Sequence, residues 1–400
     1  MKGWCGMTDK KDQYGELGVD SDKRNLEKAF GKSNKKLFPN AFCVINYNED
    51  LGIYEIMHAD GSGSKSILRW LCFLETGDPK FLEWDLFDAF TMNSGDAATC
   101  GFIDSFKSIN ITAINKQNVD KQVFIEALAK AERELRLLYA SYGMHYLSMG
   151  GEVADLPDQV GSHVLDVAVY TYLKDKKRII QGNVEPGDNI WGFFSNGQAV
   201  WEDEINSGVM ANGQTMGRIK LIHKDYAAKY PFLTRESNPF EGRFHIDDRI
   251  SSIDMTVSEA LLSPTRQWAI LIKMLIEELE SSGNLDLLHG ISMNTGGGAT
   301  KIRNIGQGIC YHKMMPEPPK IFQLIQDESG EKWKNMFTTF NCGIGIDVVG
   351  SDAGGILGMA IRKVSEKSGV NFIHLGDCTQ NKSAENVVRL DTLFGKFVYE

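Results

Sequence analysis

Asp60-Gly61-Ser62-Gly63-Ser64-Lys65 lies between a short apolar stretch, residues 54–59, and a second apolar stretch with helical spacing, residues 67–75. The first predicts a strand and the second a helix, so the six residues form a strand-to-helix turn. Such a turn suits phosphate. The strand delivers the acidic side chain of Asp60 toward a divalent metal, and Gly61 and Gly63 let backbone N–H groups approach phosphate oxygens. Ser64 and Lys65 then enter a helix whose N-terminus favours anions. The spacing differs from that of the usual phosphate loop, and a lone Gly/Ser segment also reads as an ordinary turn. The segments that accompany it therefore decide the reading.

Charge and cysteine usage exclude several classes. The chain carries 43 Lys+Arg against 53 Asp+Glu, a formal net charge of -10. A nucleic-acid surface needs clustered cations, and the densest basic run, residues 174–178, is short and reads as a solvated turn. The 7 cysteines are odd in number and far apart, with no Cys-x-x-Cys, which favours reduced, mostly buried thiols over a disulfide framework or a zinc knuckle. No apolar run approaches the roughly 18 residues of a membrane span. Asp9, Lys10, Lys11 and Asp12 stand where a signal peptide would be apolar. The expected location is the cytoplasm, with neither nucleic acid nor membrane as partner. Met7 is a candidate start, which leaves the first six residues as an expected extension.

Strand-like and helix-like segments alternate along the chain, the pattern of a mixed α/β (α+β) protein. Residues 41–46, 54–58, 146–148 and 164–173 read as strands. Residues 119–142 read as an amphipathic helix with Val123, Ala127, Ala131, Leu135 and Leu138 on one face, closed by Gly143. The polar stretch 174–188 divides the chain into an N-terminal domain, 1–175, and a C-terminal α/β domain, 176–400. In the second, 189–194, 287–294, 344–349 and 372–375 read as strands. Residues 213–230, 264–282, 318–327 and 353–368 read as helices. Ser263 followed by Pro264 predicts a helix start there.

Other glycine-acid segments accompany the turn. Asp88 and Asp96 lie eight apart in a segment ending Gly95-Asp96, and Gly150-Gly151-Glu152 follows a strand. Three loops are thus expected to present Asp60, Asp96 and Glu152, oxygen ligands of the kind that suits Mg²⁺. Asn212-Gly213, Thr295-Gly296-Gly297-Gly298 and Phe340-Asn341-Cys342-Gly343 repeat the pairing of glycine with a small polar group. The three-glycine run is a second candidate anion cradle.

In this order the motifs resemble those of the phosphoribosylformylglycinamidine cyclo-ligase (aminoimidazole ribonucleotide synthetase) family of purine biosynthesis. Gly18-Val19-Asp20 is similar to its Gly-Val-Asp, and the turn to its Asp-Gly-Val-Gly-Thr-Lys. Gly150-Gly151-Glu152-Val153-Ala154-Asp155-Leu156-Pro157 is similar to its Gly-Gly-Glu-Thr-Ala-Glu-Met-Pro, and Leu262-Ser263-Pro264-Thr265-Arg266 to its Leu-Ala-Pro-Thr-Arg. The glycine run and Thr339-Phe340-Asn341-Cys342-Gly343 complete the series. The resemblance implies a homodimer whose N-terminal sheets form a barrel across the two subunits, with a C-terminal α/β domain beside the cleft. It implies ATP and Mg²⁺ as cofactors and a small ribonucleotide as substrate. It implies Lys32, Asp60, Glu152 and Asn212 in catalysis, and Asp60, Asp96 and Glu152 at the metal. It also implies Asp60, Gly61, Gly63, Ser64, Lys65, Asp88, Asp96, Gly150 and Gly151 around the nucleotide.

The chain departs from this pattern where the family has two histidines, at Met210 and Met293, and a methionine can neither transfer a proton nor donate to phosphate. The family's Asn-Asp pair is here Gly95-Asp96. Either the carboxylates and lysines carry the chemistry alone, or the substrate or activity has changed. Another ATP-using enzyme of the superfamily and a non-catalytic nucleotide-binding relative are the alternatives.

Overall fold

A computed structural model describes residues 13–19 and 37–400. Lys32 and Asp20 lie outside the described residues.

The first sheet holds β1 (Asn46–Asn48), β2 (Ile53–Gly61), β3 (Ser105–Ile114), β4 (His145–Asp155) and β5 (His163–Leu173) in the order β1-β2-β5-β3-β4. Neighbours run antiparallel except β3 and β4, which are parallel and joined through a helix. Three helices cover one face: α1 (Lys65–Thr76), α2 (Lys80–Ala98) and α3 (Lys121–Ser141). The carboxylate of Asp120 caps α3 by accepting from the N–H groups of Gln122 and Val123. Phe124, Ala127, Leu128, Ala131 and Leu135 then turn inward at helical spacing. The opposite face has no covering element among the described residues, and it leaves Met57, Ile109, Ile111, Leu147 and Met149 exposed.

The chain crosses over residues 174–188 to the second sheet. This comprises β6 (Asn189–Phe194), β7 (Leu288–Met293), β8 (Ile309–Met314), β9 (Ile344–Gly350), β10 (Phe372–Gln380), β11 (Val387–Thr392) and β12 (Gly395–Tyr399), in the order β7-β9-β6-β10-β8-β11-β12. Helices α4 (Gln214–Leu221), α5 (Val257–Leu262), α6 (Trp268–Ser281), α7 (Lys320–Ser329), α8 (Trp333–Thr339) and α9 (Ile356–Ser368) accompany it. Helix α6 packs on α9 and on α2 of the first half, so buried apolar side chains form one contiguous core. Helix α2 is buried along almost its whole length although it carries Asp85, Asp88, Asn93 and Asp96. Buried acids on a helix need partners, and finding them locates the site.

Several expectations are corrected. Asp88 and Asp96 lie on this helix and Glu152 lies inside β4, so of the three acids only Asp60 stands at a strand end beside a loop. Residues 41–43 form bends, and the helix expected over 213–230 stops at Leu221. Pro264 does not begin a helix: Ser263 ends α5, residues 263–267 have no regular secondary structure, and α6 starts at Trp268. Tertiary hydrogen bonds outweigh the local start signal. Ser263 O accepts from Lys65 Nζ (2.7 Å), and Thr265 N–H donates to Asp88 (2.8 Å). Arg266 grips Glu202 through Nε and Nη2 and donates to Phe194 O. The cysteines among the described residues are free and buried.

Candidate functional site

Strand β2 pairs with β5 so that Asp60 faces Val167 and Gly61 faces Asp166. A Cβ on Gly61 would stand 2.0 Å from Asp166 Oδ1, so only glycine lets that carboxylate lie against the turn. Gly63 takes a φ of 61°, in the left-handed region. Ser64 stands before α1 without capping it, because its Oγ pairs with Thr215 Oγ1 at 3.2 Å. Thr215 belongs to the first turn of α4, whose cap, Gly213, also offers no side chain. Two helix N-termini thus meet with unsatisfied N–H groups, a setting that favours anions. The Phe340 ring occupies the space of a Gly213 Cβ, and Phe340 O sits against Gly298, drawing the three-glycine run to the same place. Asn212 Nδ2 donates to Thr339 O (2.6 Å), and Asn212 Oδ1 is buried with no partner.

Asp96, in the last turn of α2, faces this group. Its Oδ2 lies 3.5 Å from His58 Nε2 and 3.5 Å from Lys301 Nζ, and its Oδ1 is buried without a partner. Burial pushes its carboxyl above the usual range and Asp60 adds to the rise, while Lys301 and His58 oppose it. Lys301 also donates to Thr295 Oγ1 at 2.5 Å and stands over the Phe42 ring. Asn93, one turn before Asp96, ties the group to the strand through His58 Nδ1 (2.8 Å), Asp60 O and Val167 O. Burial also raises the Asp166 carboxyl, with Asp60 as the second cause. The structure therefore brings together Asp60, Gly61, Gly63, Ser64, Asp96 and Asn212. It adds His58, Asn93, Asp166, Thr295 and Lys301.

The sequence held a signal for some of these. His58 is two residues before Asp60 and so shares its strand face, and Asn93 and Asp96 are three apart on one helix face.

Other expected site residues lie elsewhere. The ammonium of Lys65 points inward to Asp88 Oδ2 (3.2 Å), Ser263 O and Val209 O, and it has no donor left for phosphate. Asp88 also takes Arg69, which pairs in turn with Asp85, and Asp85 accepts from His163 Nε2 (2.6 Å). This network is buried, and it reaches the turn only through Ser66, whose Oγ donates to Asp85 and lies against Gly63 O and Ser62 Oγ, so Lys65 and Asp88 hold the fold beneath the turn. Gly150 and Gly151 lie at a bulge where β4 slips against β3, and a Cβ on Gly151 would meet Asn110 Oδ1 at 2.0 Å. Glu152 is level with Gly61 but three strands away, about 14 Å at the usual strand spacing. It cannot share an ion with Asp60 within one chain. Among the described residues no group of three His, Cys, Asp or Glu could hold a metal ion. Asp60 and the unpartnered oxygen of Asp96 still fit Mg²⁺, which takes one or two carboxylates and completes its shell from phosphate and water. Met210 and Met293 are both buried, with the Met293 sulfur packed against the bare backbone of Gly95.

No family model matches the chain. Among curated relatives, a phosphoribosylformylglycinamidine cyclo-ligase of Methanobrevibacter smithii is 28% identical over 202 residues, 50% of this chain and 49% of the relative. One of Pyrococcus furiosus is 30% identical over 201 residues, 50% and 48% of the two chains. One of Methanocaldococcus jannaschii is 27% identical over 303 residues, 74% and 71%. In the first two matches the chain spans about half the length of the curated relative. Among solved structures, AaThiL complexed with AMPPCP and TMP aligns with a TM-score of 0.51 at 9% identity, over 92% of this chain and 93% of that one. T. maritima PurL complexed with ADP aligns with a TM-score of 0.50 at 11% identity, over 96% and 50%. At such identities the likeness is one of fold, and the chain has the mixed α/β fold of these proteins.

Proposed function

We propose that the chain is an ATP-dependent enzyme that closes the imidazole ring of a formylglycinamidine ribonucleotide, as its curated relatives are named for doing. The observation that carries this reading is the meeting of the Asp60 turn, the Asp96–Lys301–Thr295 group and the Asn212–Gly213 helix start in one place. In the proposed reaction the formyl amide oxygen takes the γ-phosphoryl group of ATP and ADP leaves. The amidine nitrogen then attacks the formyl carbon, the carbon–oxygen bond breaks with release of phosphate, and the nitrogen gives up a proton. Such chemistry needs positioning and charge neutralisation more than a strong base.

The residues divide this work. The N–H groups after Ser64 and Gly213 bind phosphate oxygens, Lys301 offsets their charge, and Asn212 orients the substrate amide through its unpartnered carbonyl. Asp60 and Asp96 would hold Mg²⁺, which when bound screens the charge of the triphosphate. His58, beside Asp96, provides an imidazole that can take the ring-closing proton despite Met210 and Met293. Purified protein given ATP and formylglycinamidine ribonucleotide is expected to form the aminoimidazole product with one phosphate released per ATP.

The buried methionines favour a second reading, a relative of the same fold that uses ATP on another substrate. It is indicated if an ATP analogue raises the melting temperature but no ring-closed product forms.

The uncovered sheet face fits a second copy of the chain in this proposal. A row of exposed Met57, Ile111 and Met149 (75%, 55% and 60%) on a paired sheet is an apolar surface that a barrel-forming partner would bury. Ile111→Glu is expected to turn a dimer into a monomer in light scattering. Wild-type monomer at micromolar concentration would remove the dimer from the proposal.

A further inference from the structure

A cavity of about 560 Å³ opens between the 157–164 loop, α1, α4 and residues 232–238. Arg218, His163, Ser162, Asn118, Thr234 and Arg235 line it. Of the three buried arginines among the described residues, Arg69 and Arg266 are paired with carboxylates. Arg218 is not. It is 6% exposed, its Nε has no hydrogen-bond partner, and it makes no ion pair among the described residues. Burial pushes its guanidinium down to about 10, and Tyr14 acts against that. A second orphan borders the same space: His163 gives its Nε2 hydrogen to the Asp85 carboxylate, and its Nδ1 is buried without a partner. A buried cation without a counter-ion is a standing cost to the fold, repaid when an anion arrives.

We infer that this cavity binds the phosphate monoester of a sugar- or nucleotide-sized molecule, with Arg218 as the phosphate anchor. The guanidinium offers a planar fork that matches phosphate oxygens, and exposed Arg235 at the rim suits a dianion better than a carboxylate. The volume lies within the range of small-ligand pockets. The cavity adjoins the phosphate turn on two sides. Arg218 is one helical turn beyond Thr215, the partner of Ser64, and Val164 is two residues before Asp166. A ribonucleotide with its 5′-phosphate on Arg218 would extend toward Asp60 and Asn212. The inference deepens the proposed function and rests on it for the identity of the ligand.

The test is calorimetric titration and thermal shift of the full chain with ribose 5-phosphate, with ribose as control and with no ATP present. Ribose 5-phosphate is expected to bind and ribose is not. Arg218→Met should weaken that binding by about 10- to 100-fold, and Arg218→Lys should recover part of it. Arg218→Met should also melt no lower than wild type in phosphate-free buffer, because it removes an unpaired charge. No binding of ribose 5-phosphate by wild type, undiminished affinity in Arg218→Met, or a lower melting temperature for that variant each overturns the assignment. An ATP analogue is titrated separately. If it fails to bind while ribose 5-phosphate binds, the proposed reaction falls and the phosphate anchor stands.

Discussion

Asp88→Ala is expected to lower the melting temperature by about 4–6 °C, the consequence of about 3–5 kcal/mol lost when one partner of a buried ion pair is removed. The Asp88 carboxylate accepts from Lys65, from Arg69 and from the N–H of Thr265, all buried. Without it, two cations face each other in the interior, and the 263–267 segment loses one of its anchors. Thermal denaturation of the variant measures the effect, and a shift under about 2 °C would mean that the pairing contributes little. The same network predicts acid sensitivity. Burial alone would push the carboxyls of Asp85 and Asp88 up, but Arg69 and His163 hold the first, and Lys65 and Arg69 the second, below the usual carboxylate range. Between those depressed values and the ordinary 3.8 the unfolded chain binds more protons than the folded one. This part of the stability is therefore present above about pH 4 and lost as pH falls below it. Lys65 acts at the other end. Burial pushes its ammonium from 10.5 down to about 8, so its contribution improves as pH rises between those values. A melting temperature that does not fall from pH 5 to pH 3 would argue against the acid branch.

Asp60→Asn is expected to reduce turnover with ATP by about 100- to 1000-fold, the usual effect of removing one group that stabilises transition-state charge. It should leave the melting temperature within a few degrees of wild type, because Asp60 is exposed at the end of its strand. Steady-state kinetics at varied Mg²⁺ reads the first effect and calorimetry the second. Asp391→Asn loses only a surface pairing with Lys396 and should change neither, so equal activity in all three proteins would remove Asp60 from the site.

How much of this was legible depends on which forces set each residue. The strand-to-helix turn was readable because a period of two gives way to a helical period on either side of the two glycines, and both elements formed. Helix α2 was not readable. It is buried nearly all round, so it lacks a polar stripe, and its aspartates looked like loop acids until Arg69, Lys65 and Lys301 supplied their partners. The direction of Lys65 was beyond reach for a similar reason. A lysine at a helix start beside glycines points to phosphate in a local reading, and only Asp88 and Ser263 O, 23 and 198 residues away, turn it inward. Gly150 and Gly151 answer to a bulge, which has the same glycine signature as a cradle. Gly95 and Met293 became intelligible only as a contact pair, in which the absence of one side chain makes room for the other.

The irregular 263–267 segment stitches the two halves of the molecule together. Lys65, Asp88 and Thr91 hold it to the first half of the molecule, and Asn206, Ser207, Glu202 and Phe194 hold it to the second. The two halves it joins carry the Asp60 turn and the Asn212 helix start, so buried bonds tie together the two sides of the proposed site. Hinge closure about this line would break a desolvated ion pair. If the cleft binds ATP and substrate as proposed, discrimination among ligands rests on fit to a preset gap rather than on closure of the two halves.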